Sequence, residues 1–473
     1  MAKAIFIGGT GSGVGKSWMA TAVCRHLFRR GLRVAPFKAQ NMSNNSFPCG
    51  GGEIGRAQVA QAEACRLEPE PDMNPILLKP TSNQGSQVVL NGKVWRNLRA
   101  REYYEHFDFF LQQVLDAYQR LAARFEVVVI EGAGSVAELN LKSRDLVNLG
   151  LAVRLDAPAL LVSDIDRGGI FASLLGSFWL LPEVEGRLVR SFAVNRFRGD
   201  PTLFEDGVRI LEERSARPCL GVFPFSPDLY LAAEDSAVLD HKGQRTPQLP
   251  GFEGRPRVGI VRLPHISNFT DFRLLPDACW ISQPPHGSFD FIFLPGTKTT
   301  IDDLAWLRAR GLDQWILSQH AAGATVIGIC GGYQMLGHQI FDPQRIESSQ
   351  PSAKGLGILP IETILEGEKV TRAVTARTPA AVTFSAYEIH AGRTTILRPA
   401  LPFAVMEDGL PEGMRHERCI GTYLHGAFEH PVVLSEVLDC AVPDSPELDS
   451  SYDSLACWFE SHVNLPLFEE LYL

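Results

Sequence analysis

Residues 4–17 read Ala-Ile-Phe-Ile-Gly-Gly-Thr-Gly-Ser-Gly-Val-Gly-Lys-Ser, an apolar run that passes directly into a glycine-rich loop. A helical stretch follows from about Ser17 to Arg30, and Gly31 stands where a helix C-cap is expected. In such a strand–loop–helix unit the loop N–H groups converge on phosphate, and the helix N-terminus favours negative charge. The stretch therefore predicts a nucleotide-phosphate site on an α/β sheet.

The loop ends in the residue types that a nucleotide phosphate requires. Lys16 is predicted to pair with the β- and γ-phosphates and Ser17 to place its hydroxyl on Mg²⁺. Thr10, Gly13 and Gly15 complete the predicted phosphate-binding loop. The spacing departs from the common pattern, because Thr10 stands where the first glycine is expected. A glycine-rich turn without a ligand is the alternative.

Three further segments carry charged groups that belong beside such a site. Glu131 ends the apolar run 127–130 and is predicted to hold the metal, unless it is an ordinary strand-end acid. Asp164 and Asp166, in a glycine-rich turn, could hold a second metal or an anionic substrate, or form a plain loop. Lys38 is the second residue of the polar block at 37–46, which is either a ligand-binding loop or a solvated turn.

The second half of the chain contains a different kind of catalytic pattern. Residues 328–332 read Gly-Ile-Cys-Gly-Gly between an apolar run and a helical stretch predicted at 333–340, which is typical of a nucleophile elbow. Cys330 is the predicted nucleophile, with a buried structural cysteine as the alternative. Backbone N–H groups of Gly296 and Gly331 are predicted to form the oxyanion hole. His425 and its rival His390 are the candidate bases, although either could be an ordinary core histidine.

Short β-branched apolar runs alternate with helical stretches along most of the chain, as in parallel sheets covered by helices on both faces. The clearest interruption is residues 239–256, which are polar and rich in Gly and Pro. We therefore predict an α/β protein of two doubly wound, mostly parallel-sheet domains. The predicted division is a P-loop domain at 1–238, a linker at 239–256 and a second domain at 257–473.

Composition excludes several classes of protein. The 473 residues include 45 Lys plus Arg and 54 Asp plus Glu, a net charge of −9, which argues against nucleic acids and anionic membranes as partners. The N-terminal apolar run is too short for a signal sequence, and no apolar run is long enough to cross a membrane. The nine cysteines show no metal-ligand spacing and indicate reduced thiols in the cytoplasm.

Longer blocks carry a resemblance to known families. The C-terminal half resembles class I glutamine amidotransferase domains in its PGT, GICGGYQ and HG segments. In most of that class a glutamate follows the histidine by two residues, whereas Ala427 stands there in this chain. In this departure the chain resembles a branch of the class that works with a Cys–His dyad. The N-terminal half resembles the dethiobiotin-synthetase-like P-loop ligases.

Seven further blocks lie between about Ile5 and Phe428, over most of the chain: APFKAQNMSNNS, EIGRAQ, MNPILLKP, SDIDRGGIFA, NRFRGD, SNFTDF and GTYLHGAF. In these blocks the chain resembles the cobyric acid synthase family, in which both halves are fused. The resemblance implies amidation of the b, d, e and g carboxylates of adenosylcobyrinic acid a,c-diamide, a corrinoid, in cobalamin biosynthesis. ATP with Mg²⁺ and glutamine as ammonia donor would be used, with no tightly bound cofactor.

By position the resemblance assigns Cys330 as nucleophile, His425 as its base and Asn195 as a contact to the nucleotide base. A homo-oligomer is compatible with it. Three alternatives remain at this stage: the sister enzyme that makes the a,c-diamide, a cell-wall amidating ligase, and a nucleotide-dependent regulatory protein with an inactive amidotransferase domain. The FKAQNMSNN block disfavours the first and SNFTDF the second, while retention of both Cys330 and His425 disfavours the third.

Overall fold

The computed structural model describes residues 2–82, 85–226, 229, 256–443 and 448–473. Within these ranges lie two six-stranded sheets that are mostly parallel, one in each half of the chain. The predicted fold class, two doubly wound α/β domains, is confirmed. Of the predicted linker only Pro256 lies inside the described residues.

The N-terminal domain is built on a sheet in which all five strand pairs are parallel. Ile5, Phe6 and Ile7 of its central strand are completely buried, because helices cover both faces. The strands of this domain are β1 (Lys3–Gly9), β2 (Val34–Phe37), β3 (Gln40–Met42), β4 (Ser46–Cys49), β5 (Gly52–Gly55), β6 (Ile76–Ser82), β7 (Gly85–Leu90), β8 (Lys93–Arg99), β9 (Val127–Glu131), β10 (Ala159–Asp164), β11 (Val189–Phe197) and β12 (Cys219–Pro224). The order in the main sheet is β12-β11-β10-β1-β9-β2.

The helices that surround this sheet are α1 (Lys16–Arg29), α2 (Arg56–Ala64), α3 (Ala100–Glu105), α4 (Phe107–Ala122), α5 (Leu149–Leu155), α6 (Ile170–Leu180), α7 (Glu183–Leu188) and α8 (Glu205–Ser215). Helix α1 ends at Arg29, one residue before the predicted end, and Gly31 lies in the left-handed region at φ 84° just beyond it. Because β1 and β9 are adjacent and parallel, their carboxyl ends bring the glycine loop beside Glu131.

The C-terminal domain has a second sheet in the order β14-β13-β15-β16-β24-β23, parallel except for the last pair. Its strands and those of the accessory sheet are β13 (Val258–Val261), β14 (Cys279–Ile281), β15 (Phe291–Leu294), β16 (Thr325–Ile329), β17 (Gln339–Phe341), β18 (Ser352–Lys354), β19 (Ile361–Arg377), β20 (Thr383–Ile396), β21 (Ala404–Met406), β22 (Pro411–Glu412), β23 (Met414–His416) and β24 (Cys419–Thr422). The helices are α9 (Thr300–Ala309), α10 (Leu312–Ala321), α11 (Gly331–Leu336), α12 (Pro431–Leu438), α13 (Leu448–His462) and α14 (Leu465–Tyr472).

The predicted helix at 333–340 is wrong over its second half. Helix α11 ends at Leu336, and residues 339–341 form β17, which pairs in parallel with β19. Gly337 is extended there (φ −71°, ψ −179°), because the chain must leave the helix to join a sheet made with residues far along the sequence. This accessory sheet has the order β18-β17-β19-β21-β22, with β20 paired to β19. Neither it nor the smaller sheet β3-β6-β7-β8 of the first domain was predicted.

The last two helices pack on the N-terminal domain, although the predicted division placed them in the C-terminal one. Arg25 of α1 pairs with Asp449 and Asp453 of α13, each at 2.9 Å. Phe459 and Phe468 join the core that also contains Ile5 and Ile7. An amphipathic helix pattern does not reveal which of two domains will cover its apolar face, so sequence could not place this segment. No helix of the described residues has the length and apolar character needed to span a bilayer.

Candidate active sites

The phosphate loop has the backbone that its glycines predict. Gly13 and Gly15 are left-handed at φ 71° and 102°, and α1 begins at Lys16. A Cβ on Gly15 would lie 2.1 Å from Nδ2 of Asn195, which donates a 2.8 Å hydrogen bond to the Val14 carbonyl. Gly15 is therefore needed both for its conformation and for this close approach. Asn195 supports the loop from β11, which is a second role beside the predicted base contact.

Glu131 lies at the centre of a buried polar cluster at the end of β9. Its Oε1 accepts hydrogen bonds from Ser17 Oγ and Lys38 Nζ, both at 2.9 Å, and its Oε2 accepts one from Gln61 Nε2 at 2.5 Å. The residue is 1% exposed, so its charge is compensated by these donors and not by bulk water. Lys16 Nζ lies nearby and donates to the carbonyls of Gly11 (2.9 Å) and Gly134 (2.8 Å).

The other acids near the loop are engaged in ion pairs. Asp164 accepts a hydrogen bond from Arg196 at 3.1 Å, and Asp166 accepts one from Arg198 at 2.6 Å. Arg198 lowers the pKa of the Asp166 carboxyl below its usual value. The Thr10 hydroxyl lies 3.0 Å from that of Ser163. This geometry favours the plain-loop interpretation of Asp164 and Asp166 over a second metal site.

A cavity of about 950 Å³ opens in front of the phosphate loop. Its lining combines polar groups, namely the loop, Lys38 and Glu131, with the apolar and aromatic side chains of Met42, Leu98, Tyr103 and Tyr104. Trp458 of α13 also lines this cavity, and its Nε1 donates to the Pro224 carbonyl at 3.1 Å. The C-terminal segment therefore contributes to a pocket of the N-terminal domain.

Cys330 stands between β16 and α11 in the strained backbone of a nucleophile elbow. Its φ is 53° and ψ −110°, which a non-glycine residue adopts only when the surroundings enforce it. A Cβ on Gly328 would lie 2.7 Å from the Gly332 carbonyl, and one on Gly332 would lie 1.9 Å from that of Leu294. The flanking glycines therefore allow the sharp turn. The Cys330 thiol donates to the Ile389 carbonyl at 3.6 Å.

His425 is completely buried beside Cys330. Burial by itself lowers the pKa of His425, but its contacts with Asp271 and Cys330 outweigh this effect and raise that pKa to about 9. Nδ1 lies 3.3 Å from Oδ2 of Asp271. Nε2 has no hydrogen-bond partner among the described residues. The imidazole is therefore held through Nδ1 and leaves Nε2 for proton transfer.

The predicted oxyanion residues lie at the same place. A Cβ on Gly296 would be 2.8 Å from Cε1 of His425, and one on Gly331 would be 3.2 Å from the backbone N of Thr297. The loop after β15 thus packs between the elbow and the histidine. Thr297 Oγ1 donates to Asp303 at 2.5 Å, which anchors this loop.

The rival base, His390, contacts residues other than Cys330. Its Nδ1 lies 2.9 Å from the Gly392 carbonyl and its Nε2 3.6 Å from Glu388. The ring stacks on Tyr423 with centroids 3.8 Å apart. Both ring nitrogens therefore face groups other than the Cys330 thiol, which favours His425 as the base.

Comparison with known proteins is decisive for the family. Residues 5–238 match the CobQ/CobB/MinD/ParA nucleotide binding domain, and residues 257–432 match the CobB/CobQ-like glutamine amidotransferase domain. A cobyric acid synthase of Syntrophobacter fumaroxidans is 47% identical over 91% of this chain and 88% of its own. Those of Bacteroides fragilis (43% identity; 99% and 98%) and Dehalococcoides mccartyi (41%; 96% and 96%) match nearly from end to end. The chain belongs to the cobyric acid synthase family.

Membership of the cobyric acid synthase family confirms the predicted class of enzyme, an ATP-dependent, glutamine-hydrolysing amidoligase. A nucleotide-binding domain and a glutamine amidotransferase domain are both present, as predicted. The alternatives of a sister diamide synthase, a cell-wall ligase and a regulatory protein are not favoured, because the relatives from Syntrophobacter fumaroxidans, Bacteroides fragilis and Phocaeicola vulgatus, which match most of the chain, are cobyric acid synthases. The individual site residues remain assignments from geometry.

The polar block at 37–46 has two uses in this cobyric acid synthase family member. Lys38, Gln40, Asn41 and Met42 line the cavity, whereas Asn45 and Ser46 bond to Asn268 of the C-terminal domain. Asn268 Oδ1 accepts the Ser46 N–H at 2.9 Å, and the Asn268 N–H donates to Asn45 Oδ1 at 2.7 Å. The block is therefore neither only a ligand loop nor a solvated turn, because it joins the two sites.

Two residues of these sites escaped the sequence analysis. Gln61 lies on α2 and reaches Glu131, and Asp271 reaches His425 from 154 residues away. Asp271 stands in the quoted SNFTDF block, so the signal was present without a role attached to it. Within the described ranges, no cluster of three His, Cys, Asp or Glu side chains could hold a metal ion.

Proposed function

We propose that this protein converts adenosylcobyrinic acid a,c-diamide into adenosylcobyric acid by ATP- and glutamine-dependent amidation of the b, d, e and g carboxylates, a step of cobalamin biosynthesis. The observation that carries the proposal is the coexistence, in one chain matched nearly end to end by cobyric acid synthases, of an intact phosphate loop and an intact nucleophile elbow. A regulatory protein would have no need to retain both.

In the C-terminal domain, Cys330 would attack the side-chain amide of glutamine. His425 would accept the thiol proton at Nε2 and return it to the departing ammonia, and water would then hydrolyse the thioester. The contact between His425 and Cys330 supports this assignment. N–H groups of Gly296 and Gly331 would stabilise the oxyanion, since both glycines lie against the reacting residues.

In the N-terminal domain, a carboxylate of the acceptor must be activated because it is a poor electrophile. ATP on the phosphate loop would transfer its γ-phosphoryl group to the carboxylate, giving an acyl phosphate from which ammonia then displaces inorganic phosphate to form the amide. Lys16 and Lys38 would balance the charge of the transferring group. Their ammonium groups lie by the loop and by Glu131 respectively.

Mg²⁺ is the implied cation, and the residues present fit it. Ser17 and Glu131 offer a hydroxyl and a carboxylate oxygen 2.9 Å apart, and Mg²⁺ is commonly held by one or two protein oxygens together with nucleotide phosphates and water. When bound, the ion would polarise the phosphate oxygens. A protein cage of several acids is unnecessary, which agrees with the donor set of the described residues.

The cavity supports a large acceptor that has an apolar face. Its volume of about 950 Å³ exceeds what a nucleotide phosphate alone requires, and its lining includes apolar and aromatic side chains. A corrin ring would lie against Met42, Leu98 and Tyr104 while its carboxylates faced Lys38 and the loop. We place this reaction in the cytoplasm, where ATP and glutamine are available and thiols are reduced; each of the nine cysteines is free.

Glu131→Gln is expected to weaken Mg²⁺ binding by about 10- to 100-fold and to lower turnover accordingly, because the side chain keeps its shape and loses its charge. The measurement is the amidation rate as a function of Mg²⁺ concentration. Glu126→Gln is the matched control, since Glu126 is exposed at the other end of the same strand, where it contacts Arg33. An unchanged Mg²⁺ dependence in Glu131→Gln would reduce this residue to an ordinary strand-end acid.

His425→Ala is expected to lower glutamine-driven amidation by about 10²- to 10⁴-fold, because the thiol loses its base. His390→Ala should be milder, since that ring contacts Gly392, Glu388 and Tyr423. Both variants should retain ammonia-driven amidation. If His390→Ala lost the glutamine reaction while His425→Ala kept it, the base would have to be reassigned.

The choice of acceptor tests the proposed function against its nearest alternative. ATP hydrolysis should be stimulated by adenosylcobyrinic acid a,c-diamide and not by cobyrinic acid itself, which is the acceptor of the sister enzyme. The reverse preference would identify a diamide synthase. Nucleotide binding without stimulated turnover by either corrinoid would favour a regulatory protein.

A further inference from the structure

We propose that Asp271 is a positioning residue of the glutaminase site, a carboxylate that orients His425 in place of the glutamate absent at position 427. The proposal rests on the assignment of Cys330 and His425 to glutamine hydrolysis. It adds a third member to a site that the sequence indicated to be a dyad.

The geometry of Asp271 is that of a histidine-orienting carboxylate. Its Oδ2 lies 3.3 Å from Nδ1 of His425, whereas proton transfer is assigned to the other ring nitrogen, Nε2. Its Oδ1 accepts the N–H groups of Gly426 (2.8 Å) and Phe428 (3.3 Å). Asp271 and His425 are both 0% exposed, so the pair is shielded from solvent. The carboxylate is thus fixed by backbone and leaves one oxygen for the imidazole.

Position 427, where most of the class has the glutamate that is the third catalytic residue, carries no carboxylate in this chain. Ala427 is completely buried, and the one-turn helix Ala427–Glu429 packs against the one-turn helix Phe269–Phe272 that carries Asp271. Asp271 reaches the backbone on both sides of Ala427. A carboxylate from a different element therefore takes the place beside His425 that a side chain at 427 does not fill.

The charged and titratable groups around the pair come from several elements of the fold. Cys330 and the stacked ring of Tyr387, 5.4 Å away, face His425, while Glu429, Tyr387 and Arg56 influence the charge of this neighbourhood. Burial raises the pKa of Asp271 above its usual value, although its contact with His425 opposes that shift. Among these groups Asp271 is the carboxylate in contact with the imidazole.

The same short segment is held by the ligase domain. Asn268, directly before the one-turn helix, is left-handed at φ 52° and is bonded to Asn45 and Ser46 through its backbone N–H and its Oδ1. Phe47 also contacts Tyr387, whose ring stacks on His425. The position of the orienting carboxylate therefore depends on the docked ligase domain, so the full chain is the proper subject of the test.

Asp271→Asn retains the size of the side chain and an acceptor for Gly426, but it removes the charge that stabilises protonated His425. In the full-length enzyme we expect kcat for glutamine hydrolysis to fall by about 10²-fold, with little change in KM for glutamine. The limb of the pH profile that reports His425 should move to lower pH, since the group that favours its protonated form is gone. Ammonia-driven amidation should be unchanged.

A double-mutant cycle separates positioning from structural support. If Asp271 acts through His425, Asp271→Asn combined with His425→Ala should hydrolyse glutamine no more slowly than His425→Ala alone. Asp342→Asn is the matched control, because Asp342 is equally buried and caps the N–H groups of residues 346–348 without touching His425. It should lower thermal stability without shifting the pH profile.

The proposal is overturned if Asp271→Asn keeps kcat and the wild-type pH profile, or if its effect adds fully to that of His425→Ala. A fall in glutamine and ammonia reactions together would also overturn it, because the role would then be structural. Failure of the underlying function looks different: His425→Ala itself would retain glutamine hydrolysis.

Discussion

Lys16→Ala is expected to abolish corrinoid amidation with either glutamine or ammonia as nitrogen donor, with a loss of at least about 10³-fold. The reason is that no acyl phosphate forms without the ammonium group that balances the transferring charge. In the free enzyme this group is already directed into the loop, where it contacts the carbonyls of Gly11 and Gly134. The measurement is initial amidation rate with each donor at saturating ATP.

The chemistry of Cys330 should survive in Lys16→Ala, so thiol-directed labelling or basal glutamine hydrolysis shows that the second domain is folded. Lys93→Ala, an exposed lysine at the start of β8, is the matched control and should behave as wild type. Near-normal synthesis by Lys16→Ala with saturating ammonia would show that the phosphate loop is not the site of activation.

Cys330→Ala is expected to lose amidation driven by glutamine but to retain amidation driven by ammonium salts at raised pH, where free NH₃ is available. The thiol only liberates ammonia, whereas the bond to the corrinoid forms at the phosphate site in the other domain. Cys330→Ser should behave alike. The quantity to measure in each variant is the ratio of the glutamine-driven rate to the ammonia-driven rate. We expect this ratio to fall by at least about 10³-fold.

Cys419→Ala is the matched control for this experiment. Cys419 is completely buried on β24, the strand next to the one that leads into Cys330, and has no assigned part in the reaction. Its substitution should affect stability and leave the glutamine-to-ammonia ratio unchanged. Loss of both reactions in a folded Cys330→Ala protein would contradict a mechanism with two separate sites.

Local sequence was sufficient for the parts of each site that a short segment builds by itself. Gly13, Gly15 and Lys16 belong to one strand–loop–helix unit, and Gly328, Cys330 and Gly332 to another. In both, the residues that enforce the turn are adjacent to the residue that reacts. A Cβ would lie 2.1 Å from Nδ2 of Asn195 at Gly15 and 1.9 Å from the Leu294 carbonyl oxygen at Gly332, which is the physical reason for those glycines.

Contacts between distant segments could not be predicted in this way. Asp271 and His425 come together only because the segment after β13 packs against the turn after β24. The end of α11 at Leu336 is decided by pairing of β17 with β19, and α13 is placed by its contacts with α1. None of these events has a local signature, since each depends on the partner that the segment meets after folding.

The polar block at 37–46 shows how one stretch can satisfy two interpretations. Its first residues line the cavity, while Asn45 and Ser46 bond Asn268 beside the glutaminase site. A sequence rich in amides and hydroxyls predicts hydrogen bonding, but the partners are set by the tertiary structure. Here they provide a direct route of contact between the site of activation and the site of ammonia release.

The most direct test of the whole account is mass spectrometry of the corrinoid product. The purified full-length protein would be incubated with adenosylcobyrinic acid a,c-diamide, ATP, Mg²⁺ and glutamine labelled with ¹⁵N in its side-chain amide. We predict successive intermediates that each exchange one carboxylate for a labelled amide, ending in adenosylcobyric acid with label at the b, d, e and g positions. An unchanged corrinoid in the presence of ATP and glutamine turnover, or a product without label, would contradict the account.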